Sequence, residues 1–402
     1  MKTSQGGHRL FSFDFIALCL LIFFTYCNTT VFYSLDVYLG LIGIGQQWRG
    51  FLIGSSSLAT IASYLLFSPK MTARLAIPCA CAGSTLFLVC GVLYLFARTP
   101  YELLALRLAN GVGFYLLSAS VMTLLVRIIP VERSAQAFGL YSVAILLPYS
   151  VVPAAFDSIF HGQELLARGY MTMSLFLVPA LALIFFMGLR AKRTGSGDAP
   201  AKPANYRDML RTVSTAPIAL LLGIITLYVT TFAAVFFMAK GYFHVRGFDN
   251  VGVFFTLQMV CMIIVRLIGN QHFDRIRKMR LILLCFVLTA TSCALMAWAD
   301  TLPLVYTSAV IMGLGMGVGS PAMSSLMFSI SEPRFKGINS NLVTMFQQLG
   351  GFLGPVLGAM AVHQIGYRGF LLFGVVACLL AVALCAVFTR RGMDRLDPAA
   401  MK

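Results

Sequence analysis

Between Arg190 and Ser214 the chain reads RAKRTGSGDAPAKPANYRDMLRTVS, its longest polar stretch, and on each side of it the sequence breaks into six apolar runs. Those before it lie near 13–39, 49–67, 75–97, 101–127, 135–157 and 168–190, and those after it near 215–239, 250–269, 279–299, 302–328, 337–363 and 366–389. A helix that crosses a bilayer needs about 20 apolar residues, and every run is of that order. The Gly, Pro and charge of the 190–214 stretch suit a solvated linker rather than a further helix. The expected fold is an all-α membrane protein of twelve transmembrane helices in two six-helix bundles. These bundles take residues 1–190 and 215–389, with a linker over 191–214 and a tail over 390–402.

Composition narrows the function classes. Of 402 residues, 59% are hydrophobic and 11% charged. A soluble domain carries about 25% charged residues, so this chain lacks the polar surface to face water on all sides. The loops are too short for a large catalytic or receptor domain, and unbroken apolar runs are not the alternating strands of a β-barrel. The net charge of +16 would suggest a nucleic-acid partner in a soluble protein. Here most Lys and Arg fall in the loops on the side of both termini, Arg190–Arg211 and Arg275–Arg280 among them. The opposite loops hold only Arg49, Arg98, Arg168, Lys240, Arg246 and Arg368. By the positive-inside rule both termini and the linker are cytoplasmic, and the charge is a topology signal.

The ten cysteines, Cys19, Cys27, Cys79, Cys81, Cys90, Cys261, Cys285, Cys293, Cys378 and Cys385, all lie in apolar runs and read as small buried hydrophobes. No HExxH, paired-cysteine or Gly-rich phosphate motif is present, so no metal or cofactor is expected. The first run is too long for a signal-peptide core and reads as a permanent helix.

Local motifs point further. From Arg266 to Ile282 the chain reads RLIGNQHFDRIRKMRLI, and from Ser63 to Ile77 SYLLFSPKMTARLAI. Helix four carries LALRLANGVG (Leu104–Gly113), helix eleven QQLGGFLGPVLG (Gln347–Gly358), and the opening is RLFSFDFIAL (Arg9–Leu18). Together with twelve spans in two halves, these resemble the major facilitator superfamily, and the opening is similar to its bacterial drug- and sugar-efflux members. The resemblance implies a cytoplasmic latch built on Gly269, Asp274, Arg275 and Lys278, with Arg266 able to reach Asp274 or the headgroups. An ordinary positive-inside loop is the plainer alternative. The copy after helix two keeps Lys70 and Arg74 but has no acid. The Gly-Pro exporter motif is expected in helix five, where only Pro148 and Pro153 stand.

Asp36 is the most informative acid. Thr29, Tyr33 and Asp36 share a helical face with Asn28 at its edge, while Arg107, Asn110, Gly111 and Ser118 share a stripe of helix four, and Asn28, Thr29, Tyr33 and Asn110 are expected to line the substrate cavity. A carboxylate within a span costs on the order of 2.5–3.5 kcal/mol at mid-bilayer, so it faces a cavity or a partner. Asp36 and Arg107 lie at comparable depth and are expected to form a protonation-sensitive pair; a wet helix end and a structural anchor are the competing assignment. In the C-terminal half, Tyr228, Thr231, Gln258, Asn341, Thr344 and Gln348 are uncharged polar groups that would suit a neutral or amphipathic solute, or else join helices. Gly313, Gly315, Gly317 and Gly319 in helix ten suit close packing or a hinge.

The expected function is a secondary transporter of the inner (plasma) membrane, multi-pass and monomeric, exporting a small amphipathic compound (a drug, sugar-like molecule or metabolite) against protons by alternating access. Its partners are then the small-molecule substrate, protons and the lipid bilayer, with no nucleic acid. Proton-coupled uptake, a transporter-derived sensor and a lipid translocase stay open as alternatives. A membrane enzyme would need acidic or histidine clusters on longer loops, so no enzymatic activity is expected.

Overall fold

The computed structural model describes residues 12–67, 71–128, 134–160, 162–194, 213–273, 276–332 and 336–393. Twelve helices in it are long and apolar enough to cross a membrane. They are α1 (Phe13–Leu41), α2 (Gln46–Phe67), α3 (Arg74–Leu93), α4 (Pro100–Leu125), α5 (Leu140–Ile159) and α6 (Leu166–Arg190). After the central stretch come α7 (Ala216–Arg246), α8 (Val251–Ile268), α9 (Lys278–Ala297), α10 (Leu302–Met327), α11 (Leu342–Ile365) and α12 (Arg368–Arg390). Twelve helices that alternate in direction put the start of α1 and the end of α12 on one side, the near end. Large apolar side chains such as Phe185 and Ile268 stay more than 60% exposed, which suits lipid contact and not water.

Local chemistry explains the departures from straight helices. The Ser12 hydroxyl accepts from the Phe15 amide (3.2 Å) to start α1. Further along, the hydroxyls of Thr25 and Thr29 bond back to carbonyls of the preceding turn, a habit that bends helices. The helix then tightens into a 3-10 turn over Val31–Ser34 before resuming at Leu35–Leu41, so the predicted uninterrupted helix has a rotated outer third. In α6 the break at Phe176 matches Pro179, which has no N–H to offer the Leu175 carbonyl. Helix α7 runs to Arg246, seven residues past its predicted end, and stops at Gly247, whose φ of 66° gives the left-handed cap. That extension carries Lys240 into the helix.

Glycines set the packing distances. In α10 they form two opposed faces. Gly313 and Gly317 press on α8, where a Cβ would stand 2.7 Å from Cys261 Cβ and 3.0 Å from Val265 Cβ respectively. Gly315 and Gly319 press on α9 at Leu288 and Cys285. The helix-ten glycines are thus packing contacts on both sides. In α11, Gly350, Gly354 and Gly358 lie against α7. All ten cysteines are free, and Cys285, Cys293, Cys378 and Cys385 are buried where α9 meets α12.

The first six helices meet the last six along α2/α11 and α5/α8, and α1 touches α7. At Gly50 a Cβ would lie 2.6 Å from both the Pro355 carbonyl oxygen and Ala359 Cβ, and at Gly54 2.8 Å from the Phe352 carbonyl oxygen. At Gly252 it would lie 2.5 Å from Ala154 Cα, while Thr256 donates to the Ser150 carbonyl (3.0 Å). These residues sit between the far end and mid-depth, so the mouth opposite the termini is closed by backbone lying on backbone.

Candidate functional site

Two polar groups seal that far mouth. In the first, Asp157 of α5 pairs with Lys240 of α7, and the Tyr33 hydroxyl of α1 donates to the same carboxylate. The Lys240 ammonium also lies 4.8 Å from the Tyr33 ring centroid. Phe236 and Phe255 pack against the same ring from the other half. In the second, the Tyr367 hydroxyl, in the turn before α12, donates to Asp36 Oδ2 (2.9 Å). Burial and then the neighbouring Asp36 carboxylate hold the Tyr367 phenol above the usual tyrosine range, so it remains a donor at physiological pH. Asp36 is 1% exposed and its Oδ1 is buried with no hydrogen-bond partner. Arg49, which donates from Nε to the Ile44 carbonyl (2.9 Å), acts on it electrostatically.

Asp36 and Arg107 are not joined by a hydrogen bond or ion pair. Arg107 turns instead to α2, donating to the Leu52 (3.2 Å) and Ile53 (2.6 Å) carbonyls and to Ser56 Oγ (2.6 Å), with its guanidinium 4.4 Å over the Phe32 ring. The expected pair is therefore corrected: the 3-10 turn aims Asp36 at the C-terminal half, while the helix-four stripe is a packing face for α2. Thr60 donates to the Gly111 carbonyl (2.9 Å) and Ser118 lies beside Tyr64 on that same face. Asn110 points elsewhere, donating to the Tyr94 hydroxyl (3.3 Å) with its Oδ1 buried and unpartnered.

The remaining predicted residues are dispersed. Asn28 donates to Ser174 Oγ of α6 (2.8 Å), and Thr29 bonds back to the Thr25 and Tyr26 carbonyls (3.3 Å each), so both serve α1 and its neighbours. Tyr33 belongs to the far seal. Thr231 donates to its own helix at Leu227 (3.0 Å) and lies near Cys378 of α12. Tyr228 donates to the Met316 carbonyl (2.9 Å), and Gln258 Nε2 reaches Met316 Sδ (3.8 Å), which brings α7, α8 and α10 together. Arg266 lies beside Tyr228. The expected reach of Arg266 toward Asp274 falls on a residue outside the described ones. Thr344 and Gln348 are half-buried on α11, and the side chain of Asn341 lies outside the described residues. So do Asp274, Arg275 and the Gly269 environment; of the expected latch, Lys278 is buried at the start of α9, its Nζ 3.5 Å from the Ile276 carbonyl.

Sequence reasoning did not single out Asp157, Lys240 or Tyr367. Asp157 and Tyr367 sit at run ends, where a polar residue reads as solvated. Lys240 reads as a loop charge until the Gly247 cap is recognised as the true end of α7.

Comparison with known proteins places this geometry. A family model described as Major Facilitator Superfamily matches residues 15–279 and again 247–401. No curated protein matches by sequence. Among solved structures, a bacterial homologue of the human lysosomal transporter Spinster, inward-facing and unoccupied, superposes with a TM-score of 0.74 at 12% identity, covering 98% of each chain. The nucleoside transporter NupG gives 0.74 at 12% identity over 94% of this chain and 98% of that one. The human organic anion transporter MFSD10 gives 0.63 at 17% identity over 93% and 99%. Twelve spans, two sets of six that close on each other at one end, and a family match across nearly the whole length lead to one conclusion: the chain belongs to the Major Facilitator Superfamily and is a secondary transporter, not an enzyme.

Proposed function

We propose that this transporter exports a small amphipathic compound in exchange for protons, with residues 1–190 and 215–389 rocking as two bundles about a central site. The positive-inside pattern puts the termini, the 191–214 linker and the 390–402 tail in the cytoplasm of an inner or plasma membrane, and the closed far mouth faces outside. A state closed on that side can load only from the cytoplasm, the side from which an exporter must take its cargo.

The observation that carries the reading is the Asp36 site. A carboxyl buried at the junction of the halves has one oxygen held by Tyr367 of the other half and one with no partner. Opening the outer mouth must separate Asp36 from Tyr367 and admit water to it, so proton binding and mouth opening act on the same atoms. Arg107 takes a supporting role, holding α4 on α2 beneath Phe32 so that α1 keeps its bend. Asn110, Tyr228, Gln258, Asn341, Thr344 and Gln348 are proposed to line the substrate path, and the loop of Gly269, Asp274, Arg275 and Lys278 to latch the cytoplasmic mouth in the opposite state.

The test is untargeted mass spectrometry of cells and medium from strains that overproduce the protein, lack it, or carry Asp36→Asn. Compounds enriched outside only with the intact protein, with that enrichment lost in Asp36→Asn, are the expected result. Medium components enriched inside would instead establish uptake, and full export by Asp36→Asn would remove the coupling role.

A further inference from the structure

Among the described residues, the C-terminal half contains a cation that no carboxylate pairs. None of the six spans from α7 to α12 contains an aspartate or glutamate. Lys240 is paired with Asp157 across the halves and Arg246 with Asp300 at the far surface. Lys278, Arg280, Arg368 and Arg390 stand at helix ends. Arg266 differs, because the helix of α8 runs on to Phe273, about two turns past it, and its Nε is buried and donates to nothing. Holding a guanidinium within a span costs free energy, and an intramembrane charge of this kind marks a ligand path.

A second unpartnered atom lies on the same helix. Gln258 is 1% exposed, its Nε2 is engaged by Met316 Sδ, and its Oε1 accepts from no group. Tyr228 joins the two: its hydroxyl proton goes to the Met316 carbonyl, and Arg266 lies beside its phenolic oxygen. A cation with one unpartnered N–H and an amide with one unpartnered oxygen are therefore both connected through Tyr228 and Met316. In contrast, Arg107 has three oxygen acceptors and an aromatic ring, and needs no anion.

We propose that Arg266, with Tyr228 and Gln258, is the anion-recognising subsite of the central cavity, and that the substrate is an amphipathic organic acid whose carboxylate meets the guanidinium. This rests on the transporter reading of the central site and names its substrate class. Arginine matches a carboxylate with parallel N–H donors, and Gln258 Oε1 is placed to accept from a hydroxyl or amide of the same molecule.

The test measures binding of a series of phenylalkyl carboxylates, phenylacetate to phenylhexanoate, and of their primary amides to the purified full-length protein. At least one acid is expected to bind about tenfold or more tightly than its amide, the usual advantage of a charge-assisted bond. Arg266→Gln is expected to erase that preference by weakening the acid far more than the amide, and Gln258→Leu to weaken both members of a pair about equally. If Arg266→Gln does not yield folded protein, Arg266→Lys at wild-type melting temperature decides the matter: a point charge without the planar fork should lose most of the preference. The proposal is overturned if no acid outbinds its amide, or if the preference survives at position 266. It is equally overturned if Asp274→Asn and Arg266→Gln lose stability as a coupled pair with no acid preference in the wild type. Retained gradient-driven flux in Asp36→Asn would sink proton coupling and leave the acid-over-amide preference standing, so the two failures are distinguishable.

Discussion

A methyl group at position 50 would have to occupy space that α11 already fills. The Cβ of Gly50→Ala would stand 2.6 Å from the Pro355 carbonyl oxygen, 2.6 Å from Ala359 Cβ and 3.0 Å from Val356 Cα. Ordinary contact begins near 3.4 Å, so α2 and α11 must separate by close to an ångström, and two of the three obstructing atoms are backbone with no rotamer to yield. Overpacking of this kind costs about 1–3 kcal/mol. The cost falls only on the state in which the outer mouth is shut, so the equilibrium should move toward the open-outside state by about 5- to 150-fold. Phe255 is fully buried beneath the closure and gives the assay: a cysteine-free protein carrying Phe255→Cys, labelled from outside with a membrane-impermeant maleimide. Gly50→Ala should raise the labelling rate within that range. Gly252→Ala, which meets Ala154 Cα at 2.5 Å, should act in the same direction across α5/α8. Gly351→Ala meets the movable Ser57 hydroxyl at 2.9 Å and should do less, and Gly45→Ala, with nothing nearer than 3.9 Å, nothing at all. Equal rates for Gly50→Ala and Gly45→Ala in folded protein would refute the claim that α2/α11 contact is what shuts this mouth.

Asp157→Asn and Lys240→Met should each accelerate the same labelling, since each leaves its partner half-buried without its counter-charge; the exchanged pair Asp157→Lys with Lys240→Asp should restore the wild-type rate if the ion pair itself is the fastening. Tyr367→Phe removes the one donor to Asp36 and should change the external pH at which gradient-driven flux is half-maximal, whereas Tyr306→Phe, at the far surface, should not. Arg107→Lys cannot reproduce the three donated bonds to Leu52, Ile53 and Ser56, and a loss of about 1.5–3 kcal/mol is expected, read as a lower melting temperature in detergent. An unchanged melting temperature would show that Phe32 and helix packing hold α4 without the guanidinium.

How the halves close was only partly legible from one dimension. The two glycine faces of α10 were visible as a pattern, but whether they served a hinge or a seam depended on which helices lay on each side, and α8 and α9 occupy both. Asp36 could be recognised as exceptional because any carboxylate in a span is. Its partner could not, since Tyr367 is separated from it by 331 positions and belongs to a turn whose place is fixed by the packing of α12. The expected Arg107 partnership assumed a straight first helix, and the 3-10 turn at Val31–Ser34 removes that assumption.

What the sequence by itself determined was the class: twelve apolar runs and a polar linker are consequences of bilayer thickness and of hydration, which act on each segment separately. The charge bias between loops is likewise a local quantity, and it suffices to propose an orientation. Tertiary structure alone decided which polar atoms are spent and which are left over. The carbonyls that absorb Arg107, the cross-half partners of Asp157 and Asp36, and the unpartnered atoms of Gln258 and Arg266 all depend on helix rotation and depth, quantities that hydrophobic length leaves free and only close packing against neighbours sets.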